Sequence, residues 1–270
     1  MRGAPESTRV WVEKIMGIPM SIHLISAGDQ DAVATEGAIR ACFDELHDVD
    51  GIFSTYRPDS DINRIRRGEL SLADADPRVA FASAACERAA HATGGLFSGY
   101  REGWFDPTGW VKGWAVEEAS RRHLAPLLTS AVAVGINAGG DLQLFTADGS
   151  DRRWHVGIAD PHDRGRVLAT LDIANGAVAT SGTAERGHHI LDPRTGAPST
   201  GVASATVVSD GLAQADVWAT AAVVAGALDH SWIETSASRT GIVVDREGAV
   251  TRWLGSTMID VCAVSGTREV

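Results

Sequence analysis

The stretch Ala131-Val132-Ala133-Val134-Gly135-Ile136-Asn137-Ala138-Gly139-Gly140-Asp141-Leu142-Gln143-Leu144-Phe145 decides the fold. Two short apolar runs, Ala131 to Ile136 and Asp141 to Phe145, flank a Gly-Gly turn, which reads as strand, tight turn, strand. Working outward toward the C-terminus, Trp154 to Ala159, Val167 to Ile173 and Ala203 to Val208 are further short strands. Asp148-Gly149 and Asn175-Gly176 mark turns between them. Gln214 to Gly226 reads as a helix rich in Ala and Val, and Ile242 to Val244 with Val250 to Leu254 suit a closing hairpin. Toward the N-terminus, Val10 to Ser26 reads as one long strand or a bent hairpin interrupted at Gly17-Ile18-Pro19. Asp31 to Val49, Val79 to Thr93 and Trp114 to Leu128 read as helices, the second stopped by Gly94-Gly95. Phe97 to Gly113 carries no clear period. Strands and helices come in blocks, so the expected class is α+β, with mixed sheets and packed helices, in one domain over 1–270.

Composition narrows the function. With 44% hydrophobic and 22% charged residues the chain is ordinary for a soluble globular protein. A formal net charge of −11 disfavours nucleic acid and anionic lipid as partners. The three cysteines, Cys42, Cys86 and Cys262, form no CxxC pair and no disulfide framework. No apolar run is long enough to span a bilayer, and the N-terminus shows neither an apolar signal region nor a lipidation Cys. The expected location is therefore cytoplasmic. No GxGxxG or GxxxxGK[ST] motif is present, so the common nucleotide folds lack their signatures.

Five constellations carry possible chemistry. Asp216 and Thr220 are i and i+4 on the helix after Gln214, so a carboxylate and a hydroxyl share one face. They can supply two hard oxygens to Mg²⁺, or Asp216 can act as a helix cap. His188-His189-Ile190-Leu191-Asp192-Pro193-Arg194-Thr195-Gly196 packs two His, a carboxylate and an Arg at a turn. One His there can act as general base, or the pair is incidental to a surface turn. Thr180-Ser181-Gly182 follows an apolar strand end and can offer backbone N–H groups to an anion. Asp106-Pro107-Thr108-Gly109-Trp110-Val111-Lys112-Gly113 sets one of only two lysines at the mouth of a helix, where it suits phosphate. In Asn137-Ala138-Gly139-Gly140-Asp141, a hairpin turn accounts for the glycines.

Taken together and in this order, the motifs resemble the FAD:protein FMN transferase family, also called the ApbE family, from Met16 to about Gly226. The resemblance implies an α+β, T-fold-related architecture around a flavin cleft, with FAD as substrate and Mg²⁺ as cofactor. It implies transfer of FMN to a Thr or Ser hydroxyl of an acceptor flavoprotein, with release of AMP. Asp216, Thr220, a carbonyl near Gly109 and Ala213 match the metal ligands. Met16, Tyr56, Asp106, Lys112 and Ile190 match cofactor contacts, with Ser181 beside them. Leu96, Phe97 and Ser98 fall at a further flavin-contact position, although Gly95-Leu96-Phe97-Ser98 lacks an Asp usual there and the stretch before Phe105-Asp106-Pro107 is shortened. His189 matches the general base, acting with Asp216, whose carboxylate is expected on an open cleft face. The same site with water as acceptor would be a metal-dependent FAD pyrophosphatase, and without turnover an FAD-binding protein.

Overall fold

The computed structural model describes residues 6–28, 31–163, 165–182 and 190–259. Its main body is a nine-stranded sheet ordered β1-β2-β5-β6-β9-β10-β11-β12-β13. The strands are β1 Ser7–Ile15, β2 Ile18–Ser26, β5 Ala133–Ala138, β6 Asp141–Thr146, β9 Gly176–Gly182, β10 Val202–Ser209, β11 Thr240–Asp245, β12 Val250–Leu254 and β13 Thr257–Ile259. Every pairing is antiparallel. Two separate hairpins complete the strands, β3 Tyr100–Arg101 with β4 Trp104–Phe105 and β7 Trp154–Ala159 with β8 Val167–Ile173. The helices are α1 Ala32–Phe53, α2 Asp61–Arg66, α3 Pro77–Ala92, α4 Thr108–Ala119, α5 Leu212–Ala225 and α6 Trp232–Ser236. No described helix is long and apolar enough to cross a membrane.

Period-2 alternation splits the sheet residues between two cores. Ala177, Ala179, Ala205, Val207 and Val243 join the larger core with the helices, together with Met20, Ile22 and Leu24 of β2. Their neighbours Val178, Val208, Ile242 and Val244 face the other way and pack with Ile158, Leu171 and Ile173 of the β7–β8 hairpin. The result is helices on one face of the sheet and a hairpin on the other.

The quoted stretch folds as read. Ala138 pairs with Asp141, leaving Gly139 (φ 65°) and Gly140 (φ 104°) as a two-residue loop. Positive φ at both loop positions is the turn whose twist matches the strands, and only Gly adopts it freely. Asn137 Oδ1 accepts the Gly140 N–H at 2.8 Å and closes it. Val10 to Ser26 resolves into a hairpin, with Met16 (φ 53°) and Gly17 (φ 76°) at its turn.

The helix boundaries depart furthest from the sequence expectation at α1 and α4. α1 is capped by Asp31, which accepts from Val33 N and Ala34 N at 3.0 Å, and runs on through Gly51 to Phe53. Its apolar face continues past Val49 to Phe53, both buried, and that burial outweighs the cost of a mid-helix Gly of about 1 kcal/mol. α4 begins at Thr108, six residues before the expected Trp114, and ends at Ala119 in a π turn (Ser120–Leu124) and a 3-10 turn (Ala125–Thr129). Gly109 and Gly113 look like helix breakers but serve close packing. A Cβ at Gly113 would lie 2.9 Å from Leu212 O and 3.2 Å from Asp216 Cβ, and one at Gly109 would lie 3.3 Å from the Phe97 ring.

Candidate active site

A cavity of about 1040 Å³ opens between the helices, the turns at one end of the sheet, and the β7–β8 hairpin. It lies at the top of the roughly 300–1,000 Å³ range usual for small-molecule sites. Met16 reaches it from the β1–β2 turn. Tyr56 reaches it from the loop after α1 and is 92% exposed, a large aromatic face with no protein covering it. That loop is pinned from below. Ser60 Oγ donates to Ser54 O at 2.7 Å, and Asn63 Nδ2 donates to Ser54 O and Arg57 O at 3.2 and 2.8 Å.

Leu96, Phe97 and Ser98 form a second wall. Gly94 and Gly95, both at positive φ, end α3, and Thr93 Oγ1 accepts the Phe97 N–H at 3.1 Å. The shortened segment that follows is the β3–β4 hairpin. It contributes Tyr100 to the wall, the only other tyrosine of the chain, and returns directly to Asp106. Asp106 Oδ1 accepts from Thr108 N and Oγ1 at 3.2 and 2.6 Å, starting α4 in place of a side-chain cap at Pro107. Asp106, Gly109 and Lys112 all line the cavity.

Asp216 and Thr220 of α5 also line the cavity, with Ser181 near the end of β9. Ser181 Oγ and Thr220 Oγ1 lie 3.1 Å apart. The start of α5 is fixed from two other elements: Gln143 Oε1 accepts from Leu212 N, and Glu117 Oε2 accepts from Ala213 N, each at 3.0 Å. Ala213 is half-buried there and is not among the residues lining the cavity. The expected open face for Asp216 is corrected: the residue is only 6% exposed. Gly113 lets α4 and α5 approach, and that contact brings the Lys112 ammonium to 2.9 Å from Asp216 Oδ2.

Sequence reasoning passed over one acid in this cluster. Asp141, 6% exposed at the start of β6, pairs with the same ammonium. Its other oxygen accepts the Thr180 N–H at 2.9 Å. The residue stood in the quoted turn, but its partners Lys112 and Thr180 lie 29 and 39 positions away, beyond any local pattern. Burial pulls the Lys112 pKa down, yet the charges of Asp216 and Asp141 and their hydrogen bonds outweigh it and hold the ammonium above its ordinary value. One half-buried cation thus faces two carboxylates, leaving a net negative charge beside two hydroxyls.

Ile190, 8% exposed, lines the far wall. Its carbonyl accepts from Ser199 N at 2.9 Å, and the turn after it is locked by Asp192, which accepts from Arg194 Nε and Nη2 at 2.9 and 2.8 Å. Hydrogen bonding from Arg194, against the smaller opposing effect of burial, keeps the Asp192 carboxyl below the usual range. His188 and His189 lie outside the described residues. The β7 strand forms the remaining wall with Val156, Gly157 and Ile158, which the sequence did not single out.

Gly113→Val tests the α4–α5 approach. Overpacking against backbone costs about 1–3 kcal/mol, or roughly 2–12 °C in melting temperature for a chain of this size. An unchanged melting temperature would show that the two helices do not need this contact.

The ApbE family model matches residues 16–99 and 101–242. Among curated relatives, the FAD:protein FMN transferase of Rhodobacter capsulatus is 40% identical over 128 residues, 44% of this chain and 24% of that protein. The protein of the same name from Treponema pallidum is 40% identical over 83 residues, 27% of this chain and 23% of its own. These alignments thus span about a quarter of each relative. Among solved structures, the ApbE protein of Thermotoga maritima superposes with a TM-score of 0.77 at 21% identity, covering 91% of this chain and 97% of that one. The apo flavinyl transferase ApbE of Pseudomonas stutzeri superposes with a TM-score of 0.70 at 23% identity, covering 92% and 94%. By the family-model match, which spans most of its length, the chain belongs to the ApbE family.

Proposed function

We propose that this chain transfers the FMN moiety of FAD to a Thr or Ser hydroxyl of an acceptor flavoprotein and releases AMP. The observation that carries the reading is the acidic floor of the cavity, where Asp216 and Asp141 share one ammonium beside the hydroxyls of Thr220 and Ser181. The names of the Rhodobacter and Treponema relatives supply the substrate class.

FAD carries an anionic pyrophosphate, which an acidic floor repels unless a cation intervenes. Among the described residues no group of three or more His, Cys, Asp or Glu side chains could hold a metal. A site here therefore draws on hydroxyl and carbonyl oxygens beside carboxylate. The hard oxygens of Asp216 and Thr220, with the Gly109 carbonyl as a further donor, fit Mg²⁺ in kind. Mg²⁺ would supply positive charge against the pyrophosphate as its bridging P–O bond breaks. The protein's own residues bind and orient. Tyr56, Met16 and Leu96 to Ser98 hold the flavin, Asp106, Ile190 and Ser181 fix the remainder, and Lys112 offers a second positive charge. The acceptor hydroxyl gives its proton to His189 and forms a new O–P bond to the FMN phosphorus, and AMP leaves with the bridging oxygen.

The test is AMP release from FAD with and without acceptor. AMP that depends on both acceptor and Mg²⁺, and stops with EDTA, supports the reading. AMP formed equally without acceptor makes the chain a pyrophosphatase, and FAD bound with no AMP makes it a flavin-binding protein.

A further inference from the structure

The Lys112 ammonium lies against Asp216, the carboxylate to which the proposed function gives the divalent cation. A lysine so placed competes with that cation for Asp216 both in space and in charge. The structure holds a second carboxylate on the same ammonium, and its setting is rigid. Asp141 sits at the first residue of β6, directly after the Gly139-Gly140 loop, with one oxygen on the Thr180 N–H at 2.9 Å and the other on Lys112. Its side chain, 9% exposed, is thus fixed between two strands and one helix. Lys112 is one of two lysines in a chain whose other basic residues are arginines. A lysine ammonium turns freely between partners, whereas a guanidinium presents a fixed fork.

We propose that Asp141 is a positioning residue: it serves as a second counter-charge that shares Lys112 with Asp216, so that an incoming divalent cation can take Asp216 while the ammonium keeps a partner. The proposal rests on the metal reading above and gives Asp141 a task distinct from ligation. With Asp141 in place, the floor carries one ammonium and two carboxylates, so a cation meets a net negative charge. Without it, Lys112 has Asp216 as its remaining carboxylate, the floor is neutral, and the incoming cation must displace the lysine.

Mn²⁺ titrations followed by electron paramagnetic resonance, at saturating FAD and without acceptor, test this on four proteins: wild type, Asp141→Asn, Lys112→Met and the double variant. Asn keeps the oxygen that faces Thr180 N, and the melting temperature of each variant is measured alongside. Asp141→Asn is expected to weaken Mn²⁺ binding roughly 10- to 100-fold, the range for outer-sphere partners of a metal ligand. Lys112→Met is expected to tighten it. The double variant, which restores the charge and removes the competitor, is expected to recover most of the affinity that Asp141→Asn loses. Equal Mn²⁺ affinity in wild type and Asp141→Asn would overturn the proposal. A double variant as weak as Asp141→Asn would also overturn it, because Asp141 would then act as a ligand or as a structural support. Wild-type protein that binds no Mn²⁺ would instead remove the metal reading itself, so the two failures are distinguishable.

Discussion

Asp216→Asn is expected to lower FMN transfer by about 10³-fold or more while the chain stays folded. A metal's charge stabilisation is worth several kcal/mol, and about 4 kcal/mol corresponds to roughly 10³ in rate. The substitution conserves shape on a side chain that is buried, so it leaves no cavity beneath α5. Lys112 keeps Asp141 as a partner, so no unpaired ammonium remains in the wall. Loss of rate with a near-native melting temperature separates a functional carboxylate from a helix-packing one. Added Mg²⁺ should reactivate EDTA-treated wild type and have no such effect on the variant. A variant turning over at near-wild-type rate would remove Asp216 from the chemistry.

His189→Ala is expected to slow transfer by roughly 10²–10⁴-fold with little change in FAD affinity, the signature of a lost general base. The residue lies outside the described stretch, but its neighbour Ile190 lines the cavity and is held by the Ser199 bond. The sign of the pH dependence follows from the base role. Below its pKa the imidazole is protonated and cannot accept the hydroxyl proton, so wild-type rate falls toward acid and the variant loses that limb. His188→Ala is the control for a nonspecific effect of losing an imidazole from this segment. If His189→Ala kept wild-type rate and acid limb while His188→Ala was crippled, the base would be His188. If the rate of His189→Ala fell only in step with melting temperature and FAD affinity, the residue would merely hold the Asp192-Pro193 turn.

Local patterns in the sequence carried part of this site and missed the rest for physical reasons. The Gly139-Gly140 hairpin was legible because two adjacent positive-φ residues leave few backbone alternatives. Asp216 and Thr220 were legible as a pair because helical spacing alone puts them on one face. The start of α4 was not, since Gly109 and Gly113 lower helix propensity and are required only by neighbours far along the chain, Phe97 and the first turns of α5. Asp141 was read as part of a turn because the lysine and the second acid that give it meaning arrive only when α4 and α5 pack on the sheet. The β7–β8 hairpin read as two more strands of a sheet. Its separation from the main sheet, and its use as a cavity wall, follow from which apolar face it covers rather than from its own alternation.

The most direct measurement is mass spectrometry of tryptic peptides from candidate acceptor flavoproteins incubated with this chain, FAD and Mg²⁺. The expected result is one FMN joined through its phosphate to a Thr or Ser side chain, one AMP released for each modified peptide, and no modification when EDTA or the Asp216→Asn variant is used. Free FMN and AMP accumulating beside unmodified acceptors, or FAD recovered intact from every incubation, would contradict transfer as the activity of this chain.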